Sequence, residues 1–130
     1  MIFVDTSAIY ALADRNDPRH NQAREQLQRI LNASEDLLTH NYVLLEALAL
    51  IQNRLGRAAA LQTATDCRAF QIEWVAEGPH YEALHRLARR GDRHVSLVDQ
   101  ASFLVLRRRG IRTALAYDPD FEQEGFRLFD

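Results

Sequence analysis

The stretch Ile2-Phe3-Val4-Asp5-Thr6-Ser7-Ala8 decides the fold. A short apolar run stops at an acidic residue and two hydroxyl residues, and Ala8 to Ala13 then reads as helix. That is the pattern of a buried strand feeding directly into a helix. Working outward, Asp17-Pro18 supplies a cap and a first-turn proline for a second helix with Ala23, Leu27, Ile30 and Leu31 on one face. Leu37-Leu38-Thr39 is strand-like. Tyr42 to Arg54 reads as helix, Gly56 punctuates it, and Arg57 to Phe70 reads as an alanine-rich helix. Gln71 to Val75 alternates toward Trp74 as a strand, with Trp74 and Cys67 assigned to the core, and Gly78-Pro79 breaks the chain. Tyr81 to Arg90 is helical with Leu84, Leu87 and Ala88 inward. Ser96 to Arg109 forms a further helix, closed by Gly110 in a left-handed cap. Arg112 to Tyr117 and Phe126 to Phe129 read as strands. Short apolar strands alternating with helices indicate an α/β three-layer sandwich with a central, mainly parallel sheet. In such sheets ligands bind beyond the carboxyl ends of the strands, near a topological switch point.

Composition narrows the chemistry. The 130 residues carry 16 cations against 18 anions, and every cation is arginine. Without lysine the chain lacks the lysine of a P-loop, a Schiff-base lysine, and the lysine that partners a phosphorylated aspartate. At this length one unit spanning residues 1–130 is expected, with roughly two-thirds of the unfolded surface buried. The apolar fraction of 47% fits an ordinary globular protein. The near-neutral balance argues against a constitutive nucleic-acid coat but permits a local basic groove. The lone Cys67 suits a reducing cytoplasm, and no Cys/His spacing resembles a zinc site. The start resembles no signal peptide and no apolar run approaches the roughly 20 residues that cross a bilayer, so a soluble cytoplasmic protein is expected.

Four carboxylates follow or interrupt apolar sequence: Asp5, Glu46, Asp99 and Asp118. Asp5 ends the first strand, where an aspartate also serves as helix N-cap. Glu46 lies inside Tyr42-Val43-Leu44-Leu45-Glu46-Ala47-Leu48-Ala49-Leu50-Ile51, a helix apolar all round. Glutamate is almost never buried alone, so it either lines a polar cavity, the favoured reading, or pairs with an internal arginine. Asp99 fits a capping box with Ser96, yet shares its side with Ser102, Phe103 and Leu106 and so suits a pocket wall as well. Asp118 ends a strand-like run and belongs to the turn-forming Asp118-Pro119-Asp120, where Asp120 can take the same part. In a parallel sheet the ends of the first strand and of the strand before Asp118 meet the adjacent helix starts at one rim. Clustered carboxylates repel unless a cation is present, and oxygen-only ligation points to Mg²⁺ or Mn²⁺. With the hydroxyls of Thr6 and Ser7 beside Asp5, the set has the character of a metal-assisted phosphoryl-transfer site.

These motifs, in this order, resemble the PIN-domain ribonucleases, and within them the VapC-type toxins of bacterial toxin–antitoxin pairs. The resemblance runs through Phe3-Val4-Asp5-Thr6-Ser7-Ala8, the embedded Glu46, Ser96-Leu97-Val98-Asp99-Gln100-Ala101-Ser102-Phe103, and Tyr117-Asp118-Pro119-Asp120-Phe121 with Gly125-Phe126. It implies a Rossmann-like PIN fold, Mg²⁺- or Mn²⁺-dependent endonuclease activity on RNA, homodimerisation, and a small VapB-like antitoxin that covers the site. By the same resemblance Asp5 and Asp99 are the principal metal ligands and Glu46 and Asp118 complete an acidic quartet, directly or through water. Ser7, or second to it Thr6, is the hydroxyl that orients a ligand or water. Asp120 competes with Asp118 for the fourth place, and Ala116 stands where the family often has threonine. The implied chemistry is hydrolysis leaving a 5′-phosphate and a 3′-hydroxyl.

The alternative from another class is a non-catalytic RNA- or partner-binding module whose acids are caps and turns, and it predicts no dependence on divalent metal. An aspartyl phosphatase needs lysine and a second aspartate where Ser7 stands. Arg15 and Arg19, near the loop after the first helix, are candidate RNA contacts. His40 and Tyr42 can stack on a base, although a strand-end histidine also reads as a capping or surface residue. Arg107-Arg108-Arg109 reads as a solvated helix end complementing the macrodipole.

Overall fold

The computed structural model describes residues 1–89 and 95–130. Five strands form one sheet in the order β3-β2-β1-β4-β5: β1 Ile2–Val4, β2 Leu37–His40, β3 Gln71–Glu73, β4 Thr113–Leu115 and β5 Arg127–Leu128. Every pairing is parallel. Burial on both faces explains why the central strands read as continuous apolar runs.

Seven α-helices flank the sheet among the described residues. α1 (Thr6–Ala13), α2 (His20–Asn32), α3 (Asn41–Leu55) and α4 (Arg57–Asp66) pack on one another, while α5 (Glu77–Arg89) packs on α6 (Leu97–Arg109); α7 is the short Asp120–Gln123. Right-handed crossovers running from β1 out to β3, and then back to β4, put the two groups on opposite faces. The chain therefore leaves β1 on one side and returns to β4 on the other, which makes the β1/β4 junction the switch point. Under the α6 face, Phe3, Phe103 and Phe121 are fully buried and in ring contact.

Several expectations shift on inspection. Residues 17–19 form a turn in which Asp17 Oδ1 accepts from the Arg19 amide at 2.8 Å, so α2 starts at His20 without a side-chain cap. The core side of α2 is Ala23, Gln26 and Ile30, whereas Leu31 is exposed. Gly78-Pro79 does not break the chain. It occupies the first turn of α5, where a missing N–H removes no intrahelical bond. α5 turns Ala83 inward, with Leu84 and Leu87 half-buried and Ala88 exposed; the expected last helical residue, Arg90, lies outside the described residues. The segment expected as one helix to Phe70 is α4 followed by a 3₁₀ turn at Cys67–Ala69.

Cys67 is buried as expected, but Trp74 is 70% exposed. β3 is an edge strand that ends at Glu73, so the alternation does not carry as far as Trp74, and Val75 turns inward instead. Gly110 closes α6 at φ 66°, in the left-handed region that favours glycine. The three arginines before it are paired: Arg107 with Glu124, Arg108 with Glu82, and Arg109 with Glu73.

Candidate metal site at the carboxyl ends of β1 and β4

Asp5 is the first residue past β1. Its amide donates to Leu115 O on β4 at 3.1 Å, and its carbonyl accepts from Ala8 and Ile9, opening α1. The side chain caps the helix, accepting from the Ser7 amide at 3.3 Å and the Ser7 hydroxyl at 2.8 Å. The capping role and the site position thus coexist. Only 5% of Asp5 is exposed. Burial pushes its carboxyl up to about 6, against the pull of the Ser7 and Thr6 hydrogen bonds, and the negative charge of Glu46 adds to the rise.

Asp99 completes both halves of the capping box with Ser96: its amide donates to Ser96 Oγ and its Oδ2 accepts from the Ser96 amide, each at 3.1 Å. It too is buried, because α6 from Asp99 to Leu106 is enclosed on all sides rather than along one stripe. Burial raises its carboxyl to about 7, with Asp5 and Asp118 contributing like-charge repulsion against the Ser96 hydrogen bonds.

Asp99, Asp118 and Asp120 each offer a carboxylate oxygen within 4.8 Å of the others. Distance brings both turn aspartates into the group, and the Asp120 amide donates to Asp118 Oδ1 at 3.0 Å, fixing the turn between them. Asp120 is the more buried of the two. Glu46 departs from its expected setting. It is exposed on α3, makes no ion pair among the described residues, and reaches the group only as charge felt by Asp5. The α3 sequence is apolar all round without being buried all round: Val43, Ala47 and Ile51 face the core while Leu45 is 70% exposed.

The two hydroxyls have different situations. Ser7 Oγ donates to Asp5 and accepts from the Tyr117 amide at 3.1 Å, so it is wholly engaged in joining the start of α1 to the end of β4. Thr6 Oγ1 is buried with no hydrogen-bond partner. The substitution Ser7→Ala is expected to destabilise the fold by about 1–2 kcal/mol and to raise the Asp5 carboxyl further. Thr6→Val, in contrast, is expected to leave the melting temperature equal or higher, since a methyl group replaces a buried unpaired hydroxyl. Thermal unfolding of the two variants side by side checks both statements.

A hydrogen-bond network that no local motif announces stands behind the site. Tyr117 donates through its hydroxyl to Gln26 Oε1 at 2.7 Å, and Gln26 Nε2 donates to Phe129 O at 3.0 Å. The available signal was Gln26 itself, a polar residue in helical register with Ala23 and Ile30. Arg19 lies over the Tyr117 ring at 5.2 Å, which holds its guanidinium at the β4 end of the rim, whereas Arg15 is exposed beside His20 and Arg24. His40 caps α3, as one of its expected roles had it, but it is fully buried rather than superficial. Its Nδ1 accepts from the Tyr42 and Val43 amides, which leaves Nε2 to donate to Ser102 Oγ at 2.8 Å.

Buried carboxyls crowded together, oxygen donors throughout and an unpartnered buried hydroxyl fit a hard divalent cation. The proton balance makes a prediction. The folded protein keeps protons on Asp5 and Asp99 up to about pH 6 and about pH 7, where the unfolded chain, at the ordinary 3.8, has already released them. This stabilises the metal-free fold in acid and is lost as pH rises through those values. The metal-free melting temperature should therefore fall between about pH 5 and about pH 8, while the gain on adding Mn²⁺ grows, since binding takes the deprotonated carboxylates. A metal-free melting temperature that rises over this range would contradict the assignment of raised carboxyls.

The family model described as PIN domain matches residues 2–126. The chain belongs to the PIN-domain family. It is 38% identical over 130 residues to the 23S rRNA-specific endonuclease VapC20 of Mycobacterium tuberculosis, covering 97% of this chain and 95% of that protein. The crystal structure of M. tuberculosis VapC20, described as a Sarcin-Ricin loop cleaving toxin, superposes with a TM-score of 0.85 at 36% identity over 97% of this PIN domain and 96% of that chain. The PIN-like α/β fold expected from the sequence is thereby found, with a sheet that is wholly parallel.

Proposed function

We propose that this PIN domain is a metal-dependent endoribonuclease, the toxin of a toxin–antitoxin pair, cutting an RNA phosphodiester at the β1/β4 rim. The observation that carries the proposal is the gathering of Asp99, Asp118 and Asp120 within 4.8 Å, beside a buried Asp5 whose charge Asp99 feels. Likeness to VapC20 supports large-subunit ribosomal RNA as the substrate class.

Asp5 and Asp99 would hold the cation, Mg²⁺ or Mn²⁺, with Asp118 as fourth acid, Asp120 beside it, and Glu46 acting from the exposed side of α3 through water. The ion, when bound, supplies Lewis-acid activation of water and offsets charge on the phosphate. The protein's own part is positional. Ser7 locks the Asp5 carboxylate, the Ser96 capping box locks Asp99, and the Asp118–Asp120 turn presents two further carboxylates. Thr6 offers a free hydroxyl to an ordered water or phosphate oxygen. Arg19, held on Tyr117, and Arg15 beyond it would take phosphates flanking the cleaved bond.

Partners follow the same reading. Exposed Leu45 and Leu61 on α3 and α4 are suited to a homodimer face, and the apolar trough lined by Ile9, Leu12, Leu27, Leu31, Leu37 and Phe70 to the apolar tail of a VapB-like antitoxin. No helix among the described residues is long and apolar enough to cross a membrane, in keeping with action in the cytoplasm.

Incubating the protein with 23S ribosomal RNA in Mg²⁺, in Mn²⁺ and in EDTA, and mapping ends by primer extension, tests the proposal. Discrete internal cleavage in either metal and none in EDTA is expected. Intact RNA in both metals, or equal cleavage in EDTA, overturns it.

A further inference from the structure

The chain's single tryptophan is also one of its two most exposed large apolar side chains, at 70%. A mobile loop end would account for that exposure, but the backbone on both sides of Trp74 is held. Before it, Glu73 closes the β3 ladder opposite His40, and its carboxylate is paired with Arg109 Nε at 2.5 Å. After it, the Val75 amide donates to Asn41 Oδ1 at 2.6 Å and the Val75 carbonyl accepts from Asn41 Nδ2 at 3.5 Å. The start of α5 just beyond is anchored as well, by the hydrogen bond between Tyr42 and His80 and by the edge-on packing of the His80 ring on Tyr42 and Tyr81. A large ring is thus presented to solvent on a rigid mount.

Strand register says where the mount stands. Phe3 lies opposite Leu38, so the row continues with Asp5 opposite His40, and His40 is opposite Glu73. Asp5, His40 and Glu73 form one line across three adjacent strands, at about 4.8 Å per step. Trp74 is the next residue past the end of that line, on the same carboxyl-end rim as the acidic cluster. The separation of about 10 Å between the Asp5 and Glu73 backbones is of the size that a neighbouring nucleotide can span. The acid adjacent to Trp74 in the chain, Glu73, has its charge offset by Arg109. Single-stranded RNA is recognised through unstacked bases laid on aromatic rings, and every base offers a π-face to such a ring.

We infer that Trp74 is a stacking platform for an unpaired nucleobase of the RNA, next to the nucleotide whose phosphate lies at the acidic cluster. The inference rests on the ribonuclease reading above and adds to it a preference for looped over duplex RNA. It differs from a role in self-association, which the same exposed ring would also permit, because the row places residue 74 at the rim that carries the carboxylates.

The ring reports on itself, since all tryptophan fluorescence comes from Trp74. An Asp99→Asn background keeps RNA intact during titration with a hairpin carrying an unpaired loop and, separately, with a blunt duplex of the same stem; anisotropy of labelled RNA measures binding in parallel. Loop RNA is expected to quench Trp74 as it binds, and the duplex to leave the fluorescence nearly unchanged. Trp74→Ala should weaken loop-RNA binding on the order of tenfold or more, and Trp74→Phe should restore most of it. Light scattering should give the same oligomeric state for all three proteins. Loop RNA that binds without changing the fluorescence, or that binds Trp74→Ala as well as the parent, overturns the inference. So does dissociation of the Trp74→Ala protein into smaller species with its RNA affinity retained, which would assign the ring to contact with a second copy. Failure of the Asp99→Asn protein to bind either RNA, together with uncut RNA in the wild-type metal assay, would instead defeat the ribonuclease reading itself.

Discussion

Asp99→Asn is expected to separate activity from stability in opposite directions. The asparagine keeps the shape of the side chain and an oxygen to accept from the Ser96 amide, so the start of α6 stays capped. It removes a buried negative charge that Asp5 and Asp118 disfavour, and the metal-free variant should melt at the same temperature as the wild type or higher near pH 8. Cleavage of RNA in Mg²⁺ should nevertheless fall on the order of a hundredfold or more, because the proposed anionic ligand is lost where charge must be offset. The stabilisation of the wild type by Mn²⁺ should shrink with it. Parallel cleavage and melting assays read both effects. Undiminished cleavage, or an unchanged Mn²⁺ shift, would remove Asp99 from the proposed metal site.

The largest loss of stability is expected at Phe103. This residue is fully buried on α6, meets Phe121 edge-on at 5.1 Å between ring centroids, and stacks on Phe126 at 5.8 Å. Phe103→Ala should cost about 3–5 kcal/mol, the transfer of the ring plus the cavity it leaves. For a chain of this size that is a fall of roughly 10–20 °C in melting temperature. The loss should also reach the site, since Phe121 follows Asp120 directly and Phe103 lies one helical turn from Asp99. A weaker response to Mn²⁺ in the surviving folded fraction is the accompanying result. A shift of only a degree or two would mean that the aromatic cluster is not the keystone under the acidic turn.

The strongest local signals in the sequence were those in which one short segment satisfies itself. The strand-to-cap transition at Val4-Asp5, the Ser96–Asp99 capping box and the glycine at 110 involve hydrogen bonds within a few residues, and the structure has them as read. Their burial was less legible, since it depends on neighbours far along the chain. Glu46 shows the difference. An apolar helix around it suggested an interior, but α3 presents Leu45 and Glu46 outward, so composition was no guide to depth. Trp74 failed for a related reason, because the alternation that pointed it inward belongs to a strand that has already ended. Pro79 misled through position: proline breaks helices from the second turn onward and starts them in the first. Gln26 went unnoticed because its partners, Tyr117 and Phe129, are 91 and 103 residues away.

His40 has a consequence for how this protein can be watched. Its Nδ1 is committed to two backbone amides and burial pushes its pKa down to about 4, so it stays neutral, in one tautomer, across the whole working range of pH. The remaining ring proton, shielded from solvent and bonded to Ser102 on α6, belongs to the class of imidazole protons that exchange slowly enough to give a resolved downfield resonance in a magnetic resonance spectrum. Ser102 lies three residues beyond Asp99 on the same helix. The strand-end histidine is therefore a built-in spectroscopic gauge, silent to protonation and sensitive to any displacement of the helix that carries the acid.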